Sequence, residues 1–247
     1  MKIGIIPARY ASTRFPGKPL ALIHGKPMIQ HVYERSKEAG LDDLFVATDD
    51  ERIKKTVESF GGKVVMTHPN HASGTDRCAE AARILNLEDT DFIINIQGDE
   101  PFIRKEAINL LANLFDNQEV QIATLCKPVT TEGELNNPNK VKVVFTNSNR
   151  ALYFSRSVIP YAALGHNTLG HSALCPYIAH KHLGIYAYRN DVLQRITQLP
   201  LSSLEEIEKL EQLRWLENDF SIHVLICDYE SVAVDTPEDL GELGIKN

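Results

Sequence analysis

Three cationic side chains, Arg9, Arg14 and Lys18, fall within ten residues of one another in Pro7-Ala8-Arg9-Tyr10-Ala11-Ser12-Thr13-Arg14-Phe15-Pro16-Gly17-Lys18-Pro19-Leu20. Each can approach a phosphate oxygen, and the backbone N–H groups of Ala11, Ser12 and Thr13 add neutral donors. Converging cations suit a triphosphate whose departing pyrophosphate gains charge during reaction. The spacing is not G-x-x-x-x-G-K-[ST], because Pro19 follows Lys18, and it is not G-x-G-x-x-G. ATPases and dinucleotide oxidoreductases lose support accordingly. Any one of these cations alone reads as an incidental surface side chain; the cluster is what points to an anion.

Two acids are placed to hold a metal. Asp99 lies in Ile96-Gln97-Gly98-Asp99-Glu100-Pro101, and Asp235 directly follows Val232-Ala233-Val234. Mg²⁺ usually takes only one or two protein carboxylates and leaves its other positions to water and phosphate oxygens. Asp235 reads equally well as part of a helix start, with Thr236 as cap and Pro237 at the first helical position.

The elements that must carry these groups alternate along the first half. Ile3–Ile6, Leu44–Ala47, Lys63–Met66 and Phe92–Ile96 are compact apolar runs expected to be strands. Helices are expected over Met28–Ala39, Glu51–Phe60, Asp76–Leu85 and Glu106–Phe115. Unbroken apolar strands between helices predict an α/β fold with a mainly parallel, Rossmann-like sheet and helices on both faces. Ligands of such sheets sit beyond the carboxyl ends of the strands, where both the cationic loop and Asp99 fall. The second half is richer in strands: Val120–Leu125, Val141–Phe145, Ala151–Phe154, Gly184–Tyr188, Ile222–Cys227 and Val232–Val234. One late helix is expected, N-capped by Ser203 with Glu206 closing a capping box and carrying Leu204, Ile207, Leu210, Leu213 and Leu216. No linker or repeat interrupts this, so a single domain over 1–247 with a strand-rich insertion is the expected organisation.

Composition narrows the class. The 247 residues carry 26 Lys+Arg against 33 Asp+Glu, a net charge of −7, with 43% hydrophobic residues. That balance excludes general disorder and collagen-like or coiled-coil character, and it disfavours nucleic acid as a partner. The apolar run at Ile3–Ile6 ends at Pro7, too short for a signal peptide or a membrane span. Cys78, Cys126, Cys175 and Cys227 are scattered, as buried thiols of a reducing compartment would be, so a cytoplasmic location without membrane partners is expected. His166, His171, Cys175, His180 and His182 invite a zinc reading, but their spacing matches no common finger or H-E-x-x-H pattern.

Further motifs join the first loop: Gly25-Lys26-Pro27-Met28-Ile29, Val46-Ala47-Thr48-Asp49-Asp50, Ser73-Gly74-Thr75-Asp76-Arg77 and Ala151-Leu152-Tyr153-Phe154-Ser155-Arg156. His182-Leu183-Gly184-Ile185-Tyr186, Leu210-Glu211-Gln212-Leu213-Arg214 and Val234-Asp235-Thr236-Pro237-Glu238-Asp239-Leu240 complete the set. Together, in order over nearly the whole chain, they resemble the 3-deoxy-manno-octulosonate (KDO) cytidylyltransferase family. The resemblance implies CTP + KDO → CMP-KDO + pyrophosphate, for lipopolysaccharide synthesis, by in-line attack of the anomeric hydroxyl on the α-phosphorus with Mg²⁺ as cofactor.

By resemblance, Arg14, Lys18, Asp99 and Asp235 are catalytic, and Asp99 and Asp235 hold metal. Ala8, Arg9, Arg14, Lys18, Ser73, Gly74, Arg77 and Gln97 bind the nucleotide, and Arg156, His182, Tyr186, Glu211 and Gln212 bind the sugar. Without the resemblance, Glu211 and Gln212 read as a solvated helix face, and Arg156 reads equally as a structural ion pair. A homodimer is also implied, with its contact and part of the sugar site in the insertion at about 127–190. The family carries charge, including an Arg, shortly after an Ile-Pro pair; here Ile159-Pro160 leads into Tyr161-Ala162-Ala163-Leu164, which leaves an 8-amino KDO or another acidic sugar open as substrate. Sugar-1-phosphate nucleotidyltransferases have a glycine-rich first loop, and metal-dependent glycosyltransferases more often show D-x-D; neither is present. A sensing module without turnover predicts loss of Lys18, Asp99 or Asp235, and all three are retained.

Overall fold

The structure is a computed structural model and describes residues 1–11, 15–117, 119–162, 178–230 and 233–242. It opens with β1 (Lys2–Ala8), which sends Ile3 and Ile5 to one face of a sheet and Ile6 and Ala8 to the other. Burial on both faces is why this strand is an unbroken apolar run. A small separate hairpin of β2 (Leu22–Ile23) and β3 (Lys26–Pro27) leads into α1 (Met28–Lys37). The alternation continues through β4 (Asp43–Thr48), α2 (Glu51–Ser59), β5 (Val64–Met66), α3 (Gly74–Ile84), β6 (Phe92–Asn95) and α4 (Lys105–Leu114). The second half comprises β7 (Ile122–Pro128), α5 (Glu132–Asn136), β8 (Lys142–Phe145), β9 (Ala151–Ser155), β10 (His180–Arg189), α6 (Asn190–Ile196), α7 (Ser203–Glu208), α8 (Gln212–Glu217), β11 (Ile222–Ile226) and α9 (Pro237–Glu242).

The strands run in the order β11-β7-β10-β6-β1-β4-β5. Parallel pairing joins β6, β1, β4 and β5, and separately β11 and β7, whereas β10 lies antiparallel between β6 and β7. The β8–β9 hairpin branches from the start of β10. This is the expected mostly parallel sheet with a strand-rich excursion in the second half. Helices cover both faces: Ile29 and Val32 of α1, Ile53 and Val57 of α2 and Ile108 and Leu111 of α4 fill one core, while Cys78 and Ala82 of α3, Leu193 of α6 and Leu213 and Trp215 of α8 fill the other. Each fully buried large apolar side chain contributes about 1.5–3 kcal/mol relative to exposure.

The late helix departs from expectation. It is broken into α7 and α8 at Lys209, which adopts φ 54°, and the capping box at Ser203 and Glu206 does not form because Ser202 holds the N-cap position. Tertiary bonds hold the break. Arg214 of α8 folds back on Glu205 of α7 through two 2.6 Å bonds, and the Glu208 carboxylate accepts from the Ser155 hydroxyl at 2.6 Å and the Arg156 N–H at 2.9 Å. Leu210 is buried at the break while Ile207 stays 79% exposed. The expected strand at 232–234 is not seen in its described part; Val234 instead donates its N–H to the Asp99 carbonyl at 2.9 Å. For the zinc reading, His166, His171 and Cys175 lie outside the described residues, and the described residues hold no group of three or more His, Cys, Asp or Glu able to take a metal. His180 and His182 pack their rings on Phe145 and Phe154.

Candidate active site

The topology brings the ends of β1 and β6 side by side, and a crevice of about 240 Å³ opens there. Gly98 makes the close packing possible, because a Cβ at this position would stand 2.9 Å from the Pro7 carbonyl oxygen. The cationic loop is pinned at its two described ends. Gly17, at φ 72°, donates its N–H to the Tyr10 carbonyl at 2.9 Å, and the Arg52 guanidinium stacks 3.3 Å above the Tyr10 ring. Left-handed backbone at Gly17 turns the chain into a short 3-10 turn, Lys18–Leu20, that aims Lys18 into the crevice.

There the Lys18 ammonium stands 2.8 Å from Asp99 Oδ2 and 3.3 Å from Asp235 Oδ1. Residues near opposite ends of the chain thus meet at one nitrogen. Asp235 also serves the helix start, as its alternative reading held: its own N–H and that of Thr236 donate to the Asp239 carboxylate at 2.7 and 2.8 Å, and Pro237 is the first residue of α9. Two hard carboxylates converging on one cation, beside a cationic loop, form the donor set that Mg²⁺ uses when phosphate oxygens complete its shell. The residues fit that ion.

The opposite wall is the start of α3. Ser73 caps the helix reciprocally with Asp76, each side chain accepting from the other's backbone N–H at 3.1 Å. Arg77 is only 3% exposed; Thr67 Oγ1 accepts from its Nη1 at 2.6 Å, and Asp49 lies 3.0 Å away. Those partners follow β5 and β4, so the ends of two strands brace one arginine in the wall. Ala8, Arg9, Lys18, Ser73, Gly74, Arg77, Gln97, Asp99 and Asp235 all line the crevice. Arg14 lies outside the described residues. His71 also lines it and has no counterpart in the sequence reading. Its Nε2 meets the Glu80 carboxylate. Burial pushes that carboxyl up, but bonds from His71 and the His68 N–H outweigh it and hold Glu80 below the ordinary range. The i, i+9 spacing carries no motif, so only the folded loop reveals the pair.

The residues expected at the sugar do not line this crevice; His182 and Tyr186 pack ring to ring, and the Glu211 carboxylate lies close enough to raise the Tyr186 pKa. Gln97 donates from Nε2 to the Gly184 carbonyl at 3.0 Å, where β10 is irregular between Leu183 and Tyr186. Thr124 Oγ1 donates to the Ile185 carbonyl at 2.8 Å and lies 2.9 Å from His182 Nε2. Burial drives the His182 pKa down to about 3, so its ring is neutral. Tyr186 and Tyr188 pack edge-on to Trp215, and burial, with the Glu211 carboxylate nearby, holds both phenols well above their ordinary range.

Glu211 accepts from Thr75 Oγ1 at 2.8 Å, and burial raises its pKa against the lowering effect of Thr75 and Ser73. Gln212 is 5% exposed. Neither belongs to a solvated helix face. Arg156 is committed elsewhere, donating to the carbonyls of Glu208 (2.7 Å), Pro138 (3.1 Å) and Lys209 (3.4 Å).

A mostly parallel sheet clad on both faces, with a crevice at its strand ends where a lysine meets two acids, has the architecture of a nucleotidyltransferase. The chain belongs to the cytidylyltransferase family, whose model matches residues 3–223. It is similar to the 3-deoxy-manno-octulosonate cytidylyltransferase of Parabacteroides distasonis, at 55% identity over 96% of this chain and 94% of that protein. It is also similar to the 8-amino-3,8-dideoxy-manno-octulosonate cytidylyltransferase of a Shewanella species, at 54% identity over the same shares. The solved structure of CMP:2-keto-3-deoxy-manno-octonic acid synthetase complexed with CTP matches with a TM-score of 0.87 at 43% identity, covering 98% of this chain and 96% of that one.

Proposed function

We propose that this chain catalyses CTP + KDO → CMP-KDO + pyrophosphate. The carrying observation is the meeting of Lys18, Asp99 and Asp235 in one crevice beside the loop that follows β1. The anomeric hydroxyl of the sugar releases its proton to solvent as its oxygen bonds to the α-phosphorus, while the α–β phosphoanhydride bond breaks and pyrophosphate leaves with the bonding electron pair. Such a transfer depends on positioning and charge neutralisation. Lys18, with Arg9 and the sequence neighbour Arg14, holds the triphosphate and meets the charge that develops on the leaving group. Ser73, Gly74 and the braced Arg77 form the nucleotide wall with Ala8. Gln97 spans the reacting centre and the sugar cluster, where neutral His182, Tyr186, Glu211 and Gln212 offer hydrogen bonds to sugar hydroxyls. Asp99 and Asp235 would hold Mg²⁺, which would supply positive charge at the phosphates and lower the pKa of the attacking hydroxyl.

A second reading, activation of 8-amino KDO, is favoured by the relative of that specificity at 54% identity and by the uncharged stretch after Ile159-Pro160. The test is pyrophosphate release with Mg²⁺, crossing CTP and the other nucleoside triphosphates against KDO, its 8-amino analogue and sialic acid. Turnover with CTP and one of the octulosonates is expected. No release from CTP with any of the three sugars refutes the assignment.

The same reading makes the chain a single-domain cytoplasmic enzyme feeding lipopolysaccharide synthesis and acting as a homodimer. In the described residues, Cys78, Cys126 and Cys227 are buried free thiols, and no helix is long and apolar enough to cross a membrane. The dimer contact falls on the strand-rich segment at about 127–190, which exposes Leu152 by 60% and Tyr161 by 89%. Light scattering during gel filtration tests it: a monomeric mass refutes the dimer.

A further inference from the structure

Asp99 and Asp235 lie on loops, yet a shared ion requires their separation to be fixed. Hydrogen bonds between described residues join those loops. The Val234 N–H donates to the Asp99 carbonyl at 2.9 Å. One residue beyond Asp99, the Glu100 carboxylate accepts from the Tyr229 hydroxyl at 3.2 Å. Glu100 is 4% and Tyr229 5% exposed, and neither lines the crevice. A carboxylate removed from water is costly unless hydrogen-bonded, so this acid's place beside the site calls for a role. Its donor sits on the segment that leads from β11 to Asp235. That segment is itself anchored in the sheet, because Lys181 of β10, 2% exposed, donates to Glu230 at 2.7 Å and Lys127 of β7 pairs with the same carboxylate.

We propose that Glu100 and Tyr229 are a positioning pair: their buried hydrogen bond, with the Asp99–Val234 bond beside it, straps the two acid-bearing loops together and so sets the affinity of the site for a divalent cation. The proposal rests on the reading of Asp99 and Asp235 as metal ligands. Tyr229→Phe removes only the hydroxyl. Binding of Mn²⁺ to the full chain, read by electron paramagnetic resonance, weakens about five- to tenfold, as loss of one buried hydrogen bond allows. The Mg²⁺ activation constant for pyrophosphate release rises by the same factor, while KM for CTP at saturating Mg²⁺ stays within about twofold, a pattern that a general loss of folding does not produce. Glu100→Gln keeps an acceptor oxygen and shifts both constants less than Tyr229→Phe. Unchanged Mn²⁺ binding in Tyr229→Phe, or a lowered Tm with no change in the Mg²⁺ constant, overturns the strap. Asp99→Ala separates the two failures. If it abolishes Mn²⁺ binding while Tyr229→Phe does nothing, the strap alone falls; if it leaves Mn²⁺ binding intact, the metal reading falls and takes the strap with it.

Discussion

Replacing Lys18 with Met keeps the stem of the side chain and removes its charge. At 2.8 Å from Asp99 and 3.3 Å from Asp235, the ammonium attracts the two carboxylates by about 6 and 5 kcal/mol at an effective dielectric of 20, and by about 1.5 and 1.3 kcal/mol at that of water. The three side chains are 16, 29 and 45% exposed, so solvent screening pulls the values toward the lower pair. Without the ammonium, the two carboxylates lose this shared ion pair, and Mg²⁺ no longer has to displace it from their oxygens. Mg²⁺ binding to the nucleotide-free variant therefore tightens, by about tenfold for each 1.4 kcal/mol released. Turnover moves the opposite way, because the charge set against the departing pyrophosphate is lost; kcat falls by about 10²–10³, as for removal of one preorganised donor. Isothermal titration with Mg²⁺ reads the first effect and pyrophosphate release at saturating CTP and sugar reads the second. A variant that binds Mg²⁺ no more tightly and shows only a raised KM for sugar refutes the reasoning.

Asp99→Ala abolishes turnover at saturating Mg²⁺ while CTP binding by calorimetry largely survives; a near-normal kcat takes Asp99 out of the chemistry. Glu211→Gln keeps the shape and removes the carboxylate, so KM for the sugar rises by about 10–100-fold, the range for a hydrogen bond to a charged group, with KM for CTP unchanged. Equal losses toward both substrates would place Glu211 outside the sugar site. The neutral His182 ring makes folding acid-sensitive: its pKa falls from 6.5 to about 3 in the native state, so the unfolded chain binds the extra proton and stability drops as pH falls through that window. From pH 7 to pH 5 the native protein loses about 2 kcal/mol more than His182→Gln in urea unfolding. Matching pH slopes for the two proteins would contradict the neutral ring.

The alternating elements of the first half were legible because each is specified locally. An apolar run such as Ile3–Ile6 is buried on both faces of the sheet, and Ile53 and Val57 recur at helical spacing on one side of α2. The cationic loop and Asp99 could be placed at strand ends for the same reason, and the motifs named the family. The break at Lys209 was not legible, because Glu205–Arg214 and Ser155–Glu208 hold it through bonds that form only after the segments have packed. His71 escaped notice since its partner Glu80 is reached across a loop. Asp235 reads evenly as a cap residue or a ligand; in the fold its backbone N–H is bonded to Asp239 of α9 while its carboxylate faces Lys18. Residue type and spacing determined which groups were available for phosphate and metal. Their convergence was decided by strand order, which sets β1 against β6, and by the Val234–Asp99 bond that brings the C-terminal segment to Asp99; both are long-range pairings that local pattern does not encode.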